Sequence, residues 1–187
     1  MLTSRAGLEP GETVLIWGIG GGVSLAALQI ARFLEARIIA TSSSDAKLAM
    51  ARTLGADIVL NHATTDVAAE VRKITNKRGV DVVVDNVGEK TWEKSLRCLG
   101  RLGRLVTCGA TTGPMVVTDV RKLFWYQYSI LGSTMGNFDE YQEIVRLAGE
   151  GRLWPVVDRI YPLEQSVDAF ARLLSGEQLG KLVIEVP

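Results

Sequence analysis

The chain has 187 residues, of which 47% are hydrophobic and 22% charged, and its 21 basic and 21 acidic side chains give a formal net charge of zero. Because neither half carries a long run of like charge, the chain lacks the basic face that binding to a nucleic-acid backbone requires. No apolar stretch approaches the roughly 18 residues that cross a bilayer, and the N-terminal stretch MLTSRAGLEPGE lacks the apolar core of a signal peptide. We therefore expect a cytoplasmic globular protein with neither a nucleic acid nor a membrane as its partner.

The first predicted strand leads into a concentration of glycine. Residues 13–17 are rich in β-branched and aromatic side chains, and they run into four glycines between residues 18 and 22. An amphipathic helix is predicted from there to about residue 35. A strand, a glycine turn and a helix present backbone N–H groups and a helix N-terminus to a phosphate. A strict G-x-G-x-x-G is incomplete, since Ser24 stands where a third glycine would help the helix close on the strand. A tight turn without a ligand therefore stays open as the alternative.

Strands and helices then alternate along the remaining chain. Further strands are predicted at about residues 36–41, 57–60, 80–85, 104–108, 128–132, 156–160 and 181–186. Further helices are predicted at about residues 45–54, 67–74, 90–99, 119–125, 137–149 and 163–174. Strands separated by helix-sized intervals indicate right-handed crossovers, and hence an α/β fold with a doubly wound parallel sheet. We expect one domain, with a core over residues 13–135 and a small appendage of helices and strands over residues 136–187.

Cysteine and histidine are scarce in this sequence. The two cysteines, Cys98 and Cys108, and the single histidine, His62, cannot form a disulfide framework or a four-ligand zinc site. We expect two reduced thiols in or near the core and no metal-binding residue in this chain.

Small and polar residues follow the predicted strands, at the edge where a doubly wound sheet binds its ligand. They occupy residues 18–22, 41–44, 61–62, 85–88 and 109–111. Because a backbone that approaches a ligand closely needs such residues, the sequence predicts a nucleotide site along this edge.

The end of the second strand indicates which dinucleotide fits. A site for NAD normally carries Asp or Glu there to bind the ribose 2′-hydroxyl. Thr41 and Ser42 stand at those positions, and the first acidic residue, Asp45, falls on the first turn of the next helix. Lys47 adds a cation that suits a 2′-phosphate. We therefore predict NADP, with NAD as the alternative; Lys47 as an ordinary solvated helix residue is the other interpretation of that side chain.

Longer segments stand in order along almost the whole chain: GLEPGETVLIWGIGGGV, ARIIATSSSDAKLAMARTLGAD, GVDVVVDNVG, GRLVTCGATTG, ILGSTMG and GKLVIEV. They resemble the medium-chain dehydrogenase/reductase superfamily, and most closely its zinc-binding alcohol dehydrogenases and quinone-oxidoreductase-like members. The resemblance implies a Rossmann fold with strand order 3-2-1-4-5-6, and it covers only the dinucleotide-binding half of the family. On this resemblance we expect the family's N-terminal GroES-like catalytic domain to be missing, with Met1 corresponding to the interior of a family helix, as in a truncation or a start codon placed too late.

The resemblance also implies a set of cofactor-binding residues at the strand ends. These are Gly20, Gly21, Gly22 and Val23 at the pyrophosphate; Ser42, Ser43 and Lys47 at the adenosine 2′-phosphate; His62 near the adenosine end, where many relatives have tyrosine; Asn86 and Val87 at the adenine or ribose edge; and Gly109, Ala110 and Thr111 along the nicotinamide half. With Ser24 in place of the family's glycine, we expect weaker closure of the helix on the strand.

The activity that the resemblance implies is transfer of hydride between the nicotinamide C4 and an alcohol, carbonyl, quinone or enone. The catalytic residues, the pocket for the small-molecule substrate and any zinc would belong to the missing domain, so we expect binding without appreciable turnover. The alternative is a stand-alone nucleotide-binding regulatory or interaction module without catalysis. A short-chain dehydrogenase is excluded because no tyrosine has lysine four positions later. A methyltransferase is excluded because the second strand does not end in an acid.

The last predicted strand of the main sheet leads to a prediction about how copies of the chain assemble. The stretch from Tyr126 to Thr134, with its strand near Tyr128–Thr134, mixes aromatic and β-branched residues, and Phe124 and Trp125 come just before it. An exposed sheet edge is a template for pairing with another chain, and in relatives this edge pairs with its twin. We expect a homodimer through this strand. The alternative is that the aromatic side chains pack under the C-terminal helix.

Overall fold

The computed structural model describes all 187 residues, and its elements follow the predicted alternation. The strands are β1 (Thr13–Ile16), β2 (Arg37–Ser42), β3 (Ile58–Asn61), β4 (Val80–Val84), β5 (Leu99–Thr107), β6 (Ser129–Gly132), β7 (Val157–Pro162) and β8 (Lys181–Glu185). The helices are α1 (Gly22–Phe33), α2 (Asp45–Thr53), α3 (Val67–Ile74), α4 (Trp92–Cys98), α5 (Val120–Tyr126), α6 (Phe138–Gly149) and α7 (Ser166–Ser175). None of them combines the length and the apolar character that crossing a membrane requires.

Six strands form one parallel sheet in the order β3-β2-β1-β4-β5-β6, which confirms the predicted topology. The order reverses beside β1, where Leu15 pairs with Ile39 of β2 on one side and with Val83 of β4 on the other. Such a reversal opens a crevice beyond the carboxyl ends of the two central strands. The turn that follows β1 lies at this crevice.

Alternate side chains of β1 point to opposite faces of the sheet and belong to two separate cores. Val14 and Ile16 join a cluster with α1 and α2, whereas Leu15 and Trp17, the residue just after β1, join a cluster with α3 and α4. All four side chains are buried. Burial on both faces is typical of a central parallel strand, and it fixes the position of the turn that follows.

Strand β5 begins earlier than predicted. It starts at Leu99, which pairs with Val80 of β4, whereas the predicted helix extended to residue 99 and the predicted strand began at 104. The sequence does not indicate this start, because Gly100 follows Leu99 and glycine is uncommon in strands. A Cβ atom at Gly100 would lie 2.8 Å from the carbonyl oxygen of Arg78, so the close approach of the two backbones requires glycine there.

The C-terminal residues form a second, two-stranded sheet. β7 and β8 are parallel, and α7 connects them. The predicted helix from residue 163 begins instead with a 3-10 turn at Leu163–Gln165, and α7 starts at Ser166. The amide of Gly180 donates a hydrogen bond to the carbonyl of Gly20 at 2.7 Å. The start of β8 therefore lies beside the glycine turn of the main sheet.

Strand β6 forms one edge of the main sheet, since only β5 pairs with it. Phe124 and Trp125 of the preceding helix are 66% and 67% exposed, so the alternative in which they pack under the C-terminal helix is wrong. Tyr128 is buried instead, and its hydroxyl donates to the carbonyl of Leu99 at 3.2 Å.

Candidate functional site

Glycine determines the path of the turn between β1 and α1. Gly18 and Gly20 have φ angles of 65° and 132°, which residues with a side chain rarely adopt. Gly21 is the N-cap of α1 and supplies no capping side chain to it. The first N–H groups of α1, which include those of Gly22 and Val23, therefore remain available to an anion.

Ser24 stabilises this turn. Its side chain is buried, and its Oγ lies 3.0 Å from the carbonyl oxygens of both Gly18 and Gly21. The hydroxyl of Ser24 therefore has acceptors inside the turn, while the weaker closure of the helix on the strand stays a prediction.

Two lysine side chains lie against the glycine turn. A Cβ atom at Gly20 would lie 2.9 Å from Cδ of Lys47, and one at Gly22 would lie 2.6 Å from Nζ of Lys181. Nζ of Lys47 donates to the carbonyl of Gly176 at 2.5 Å, and partial burial lowers the pKa of this lysine. The two cations and the positive end of the helix dipole therefore lie together at the glycine turn. Sequence reasoning missed Lys181; the signal was the pair Gly180-Lys181 in the segment GKLVIEV.

The residues predicted for a 2′-phosphate do not converge on one point. Ser42 is buried, and its Oγ accepts a hydrogen bond from the Ser44 amide at 3.2 Å. Ser43 is exposed, whereas the Lys47 ammonium lies over Gly20 of the glycine turn and donates to the carbonyl of Gly176. The end of β2 carries no carboxylate. The nearby carboxylate, that of Asp45, accepts a hydrogen bond from the side chain of Asn61 at 2.7 Å.

Thr41 connects the end of β2 to the turn. Its buried Oγ1 accepts a hydrogen bond from the Gly18 amide at 3.2 Å and lies 3.3 Å from Nδ1 of His62. The ring of His62 also contacts Trp17, with the ring centroids 6.0 Å apart. Burial lowers the pKa of the His62 imidazole, and the positive charge of Lys94 lowers it further. His62 is therefore a neutral side chain at pH 7, and it lies behind the glycine turn.

The opposite wall of the crevice consists of two loops that follow β4 and β5. The amides of Thr111 and Thr112 donate to the carbonyls of Asn86 and Val87, at 3.3 and 2.8 Å. The side chain of Val87 faces the turn, since a Cβ atom at Gly18 would lie 3.8 Å from its Cγ2. The Asn86 side-chain oxygen is buried without a hydrogen-bond partner.

Two cavities adjoin these loops and the turn. One of about 520 Å³ lies between the β5 loop and the end of β6, and its lining includes Gly109, Ala110 and Thr134. A larger groove of about 910 Å³, mostly apolar, follows the exposed face of α1, where Val23 and Ile144 line it. The predicted nicotinamide-side residues therefore lie beside open space rather than in the core.

The side chains of this chain do not fit a zinc site. No cluster of three or more histidine, cysteine, aspartate or glutamate residues is present. Cys98 is buried, which raises the pKa of its thiol to about 12 and disfavours the thiolate that zinc requires. His62 lies against Thr41 and Trp17.

A doubly wound sheet with a glycine turn at its switch point, cations at that turn and small residues on the facing wall defines the class of dinucleotide-binding α/β domains. Residues 22–150 match the model of the family described as zinc-binding dehydrogenase. The chain belongs to this family.

Individual relatives agree with this assignment. The chain is 34% identical to an NAD-dependent alcohol dehydrogenase of Sulfolobus acidocaldarius over 183 residues, which make up 97% of this chain and 52% of the relative. It is 29% identical to quinone oxidoreductase-like protein 2 of Bos taurus, over 99% of this chain and 56% of that protein. A crystal structure of an NAD-dependent alcohol dehydrogenase superposes with a TM-score of 0.90 at 38% identity, over 97% of this chain and 53% of that one. The chain thus spans about half the length of the relatives it matches.

Proposed function

We propose that this chain is the NADP(H)-binding half of an oxidoreductase that transfers hydride between the nicotinamide and an alcohol, carbonyl, quinone or enone substrate. The observation that carries the proposal is the glycine turn at the switch point of the sheet, where two lysines meet an uncapped helix N-terminus. Membership of the zinc-binding dehydrogenase family supports the reaction class. The match to about half of each relative supports a division between this half and a remainder that holds the substrate.

The pyrophosphate of the dinucleotide would bind across the turn. The N–H groups at the start of α1 would donate to it, and the positive end of the helix dipole would favour its charge. Lys47 and Lys181 would neutralise two phosphate oxygens from opposite ends of the turn, because their side chains already lie against Gly20 and Gly22. Gly20 and Gly22 leave room for this approach because neither carries a Cβ atom.

The preference for a 2′-phosphate rests on the end of β2. An aspartate or glutamate there would bind a 2′-hydroxyl and repel a 2′-phosphate, and this chain has Ser42 and Ser43 instead. The hydroxyl of Ser43 is free to donate to a phosphate oxygen, since its side chain is exposed. The Lys47 ammonium serves the pyrophosphate from its position over Gly20, so the preference does not depend on it.

Bound nicotinamide supplies hydride transfer at its C4 atom. The loops after β4 and β5 would orient the ring: Gly109 and Ala110 border the cavity of about 520 Å³, and a Cβ atom at Gly109 would lie 3.4 Å from the carbonyl oxygen of Asn86. The substrate would reach the ring from the remainder of the protein. For this chain alone we therefore propose cofactor binding without turnover.

Titration of the chain with NADPH and NADH tests the cofactor, with tryptophan fluorescence as the readout, since Trp17 and Trp92 lie close to the predicted site. We expect NADPH to bind about tenfold or more tightly than NADH. A Ser43→Asp variant should lose this preference through repulsion of the 2′-phosphate. An Ala69→Asp variant, which adds the same charge on the exposed side of α3, should keep it. Equal affinities in the unaltered chain would overturn the NADP assignment, and no binding of either dinucleotide would overturn the proposed function.

A turnover assay separates the cofactor-binding half from a complete enzyme. The chain is mixed with NADPH and a panel of aldehydes, quinones and enones, and absorbance at the nicotinamide band is followed. We expect no oxidation above the rate without protein. Turnover at enzyme-like rates would show that this chain carries its own catalytic residues.

The location that we propose is the cytosol, where both thiols stay reduced.

A further inference from the structure

The carboxylate of Asp85, just beyond the end of β4, is fully buried and accepts four hydrogen bonds. Oδ1 accepts from the amides of Val87 and Gly88 at 2.9 and 3.0 Å and from the hydroxyl of Thr91 at 2.8 Å. Oδ2 accepts from the hydroxyl of Ser95 at 2.6 Å. An ionised carboxylate offers only acceptors, so four donors suit it. The side chain thereby sets the path of residues 86–88 and ties them to α4.

Residues 86–88 in turn hold the loop after β5. The carbonyl of Val87 accepts from both the amide and the hydroxyl of Thr112, at 2.8 and 2.9 Å. The Glu89 amide donates to the carbonyl of Gly113 at 3.1 Å. A Cβ atom at Gly88 would lie 2.5 Å from that carbonyl oxygen. The loops after β4 and β5 are therefore in close contact, and we expect a shift of the first loop to displace the second.

We propose that Asp85 is a positioning residue for the whole wall of the cofactor site, through residues 86–88 and from them to residues 109–113. The inference rests on the proposed function for what the wall binds, but the coupling of the two loops is independent of it. Without the carboxylate, the amides of Val87 and Gly88 lose their acceptor in a buried place, which favours another backbone path. The loop after β5 then loses the carbonyls that hold it.

Strand β4 offers a matched control at its other end. Asp81 also accepts a backbone amide, that of Thr13 at 2.8 Å, and it pairs with the guanidinium of Arg78 at 2.6 Å. It lies near the amino end of the strand, away from the crevice. An Asp81→Ala variant therefore removes a carboxylate from the same strand without touching the wall.

Amide hydrogen exchange tests the coupling without any nucleotide. In Asp85→Ala, exchange at Thr111 and Thr112 should accelerate about tenfold or more relative to the unaltered chain. In Asp81→Ala their exchange should keep its rate after correction for global stability. Asp85→Asn should largely restore protection, since its oxygen still accepts from the two amides. If Asp85→Ala does not fold, Thr91→Val removes one donor and should accelerate the same amides to a smaller extent. Unchanged exchange in a folded Asp85→Ala, or equal acceleration in both alanine variants, would overturn the proposal.

Nucleotide affinity tests the consequence for the site. Asp85→Ala should weaken NADPH binding about tenfold or more, and weaken adenosine 2′,5′-bisphosphate several-fold less, because the smaller ligand lacks the nicotinamide half that the β5 loop borders. Equal losses for the two ligands would contradict transmission from residues 86–88 to the loop after β5. If the unaltered chain binds neither ligand, the proposed function fails, while hydrogen exchange still decides whether Asp85 positions the two loops.

Discussion

The hydroxyl oxygen of Thr41, the residue before the last of β2, accepts a hydrogen bond from the backbone amide of Gly18 at 3.2 Å. The carbonyl of Thr41 also accepts from the amide of Ile19 at 2.6 Å. One residue of the neighbouring strand therefore holds two consecutive amides of the glycine turn. Because Gly18 has a positive φ and contributes no side chain, this contact from outside fixes the turn's path.

We expect Thr41→Val to loosen the turn. The substitution keeps the shape of the side chain but leaves the Gly18 amide without its acceptor, which costs about 1–3 kcal/mol of the free energy of unfolding. Urea denaturation measures that loss, and dinucleotide titration should give a higher Kd. Thr41→Ser keeps the oxygen and should retain both properties. Thr53→Val, on the exposed side of α2, serves as the control, and an equal effect there would argue against a specific role for Thr41.

Lys47 and Lys181 should each contribute to phosphate binding. We expect Lys47→Ala and Lys181→Ala to weaken binding of NADPH by roughly 1–2 kcal/mol at low ionic strength and by less in high salt. Because Lys47 lies over Gly20, its loss should weaken NADH to the same extent. A loss confined to NADPH would mean that Lys47 leaves Gly176 and reaches the 2′-phosphate. Lys73→Ala on the exposed face of α3 provides the control.

The parallel sheet and the edge that carries the candidate site could be predicted from local patterns, and the strand order from the family resemblance. The β-branched run before Gly18 and the small residues after each strand are features of neighbouring residues, and they located the crevice. Lys181 could not be found this way, since its contact with Gly22 depends on where the second sheet lies against the first. The hydrogen bonds of Ser24 could not be found for a related reason: the acceptors of its hydroxyl exist only once the turn has folded.

His62 should make stability depend on pH. Its pKa in the folded chain is lowered from the ordinary value of 6.5, so the unfolded chain binds the proton more tightly. The contribution of neutral His62 to the free energy of unfolding is therefore fully present above pH 6.5. It is lost as the pH falls through 6.5 towards the lower pKa of the folded chain. We expect the urea midpoint to fall over this window, and His62→Gln to remove that part of the slope.

Nuclear magnetic resonance measures the same property directly, because the chain has a single histidine. The imidazole Cε1 proton should titrate below the ordinary pKa. Lys94→Ala should raise the pKa, since the positive charge of Lys94 contributes to lowering it. A histidine that titrates at or above 6.5 would contradict the partly buried, neutral ring.

The two cysteines should differ in reactivity. Cys98 is buried with its thiol pKa raised to about 12, whereas Cys108 is exposed beside the cavity of the β5 loop. We expect a thiol reagent at pH 8 to modify Cys108 rapidly and Cys98 only after unfolding. Cys108→Ser should abolish the rapid phase. Saturating NADPH should slow it, because Cys108 adjoins Gly109; a rate independent of NADPH would argue against nicotinamide at this cavity.

The open edge of β6 leads to a prediction about assembly. Nothing pairs with β6 opposite β5, and Ile130 of that strand and Trp125 before it are exposed. We propose that two copies of the chain pair through this edge, since unpaired backbone groups and apolar side chains together favour association. Light scattering at micromolar concentration should give the mass of a dimer.

Ile130→Lys should shift the mass to that of a monomer, because it places two like charges close together where the strands meet. Val167→Lys, on the exposed face of α7, should leave the dimer intact. A monomer in the unaltered chain would overturn the pairing, and dissociation by both variants would place the interface elsewhere.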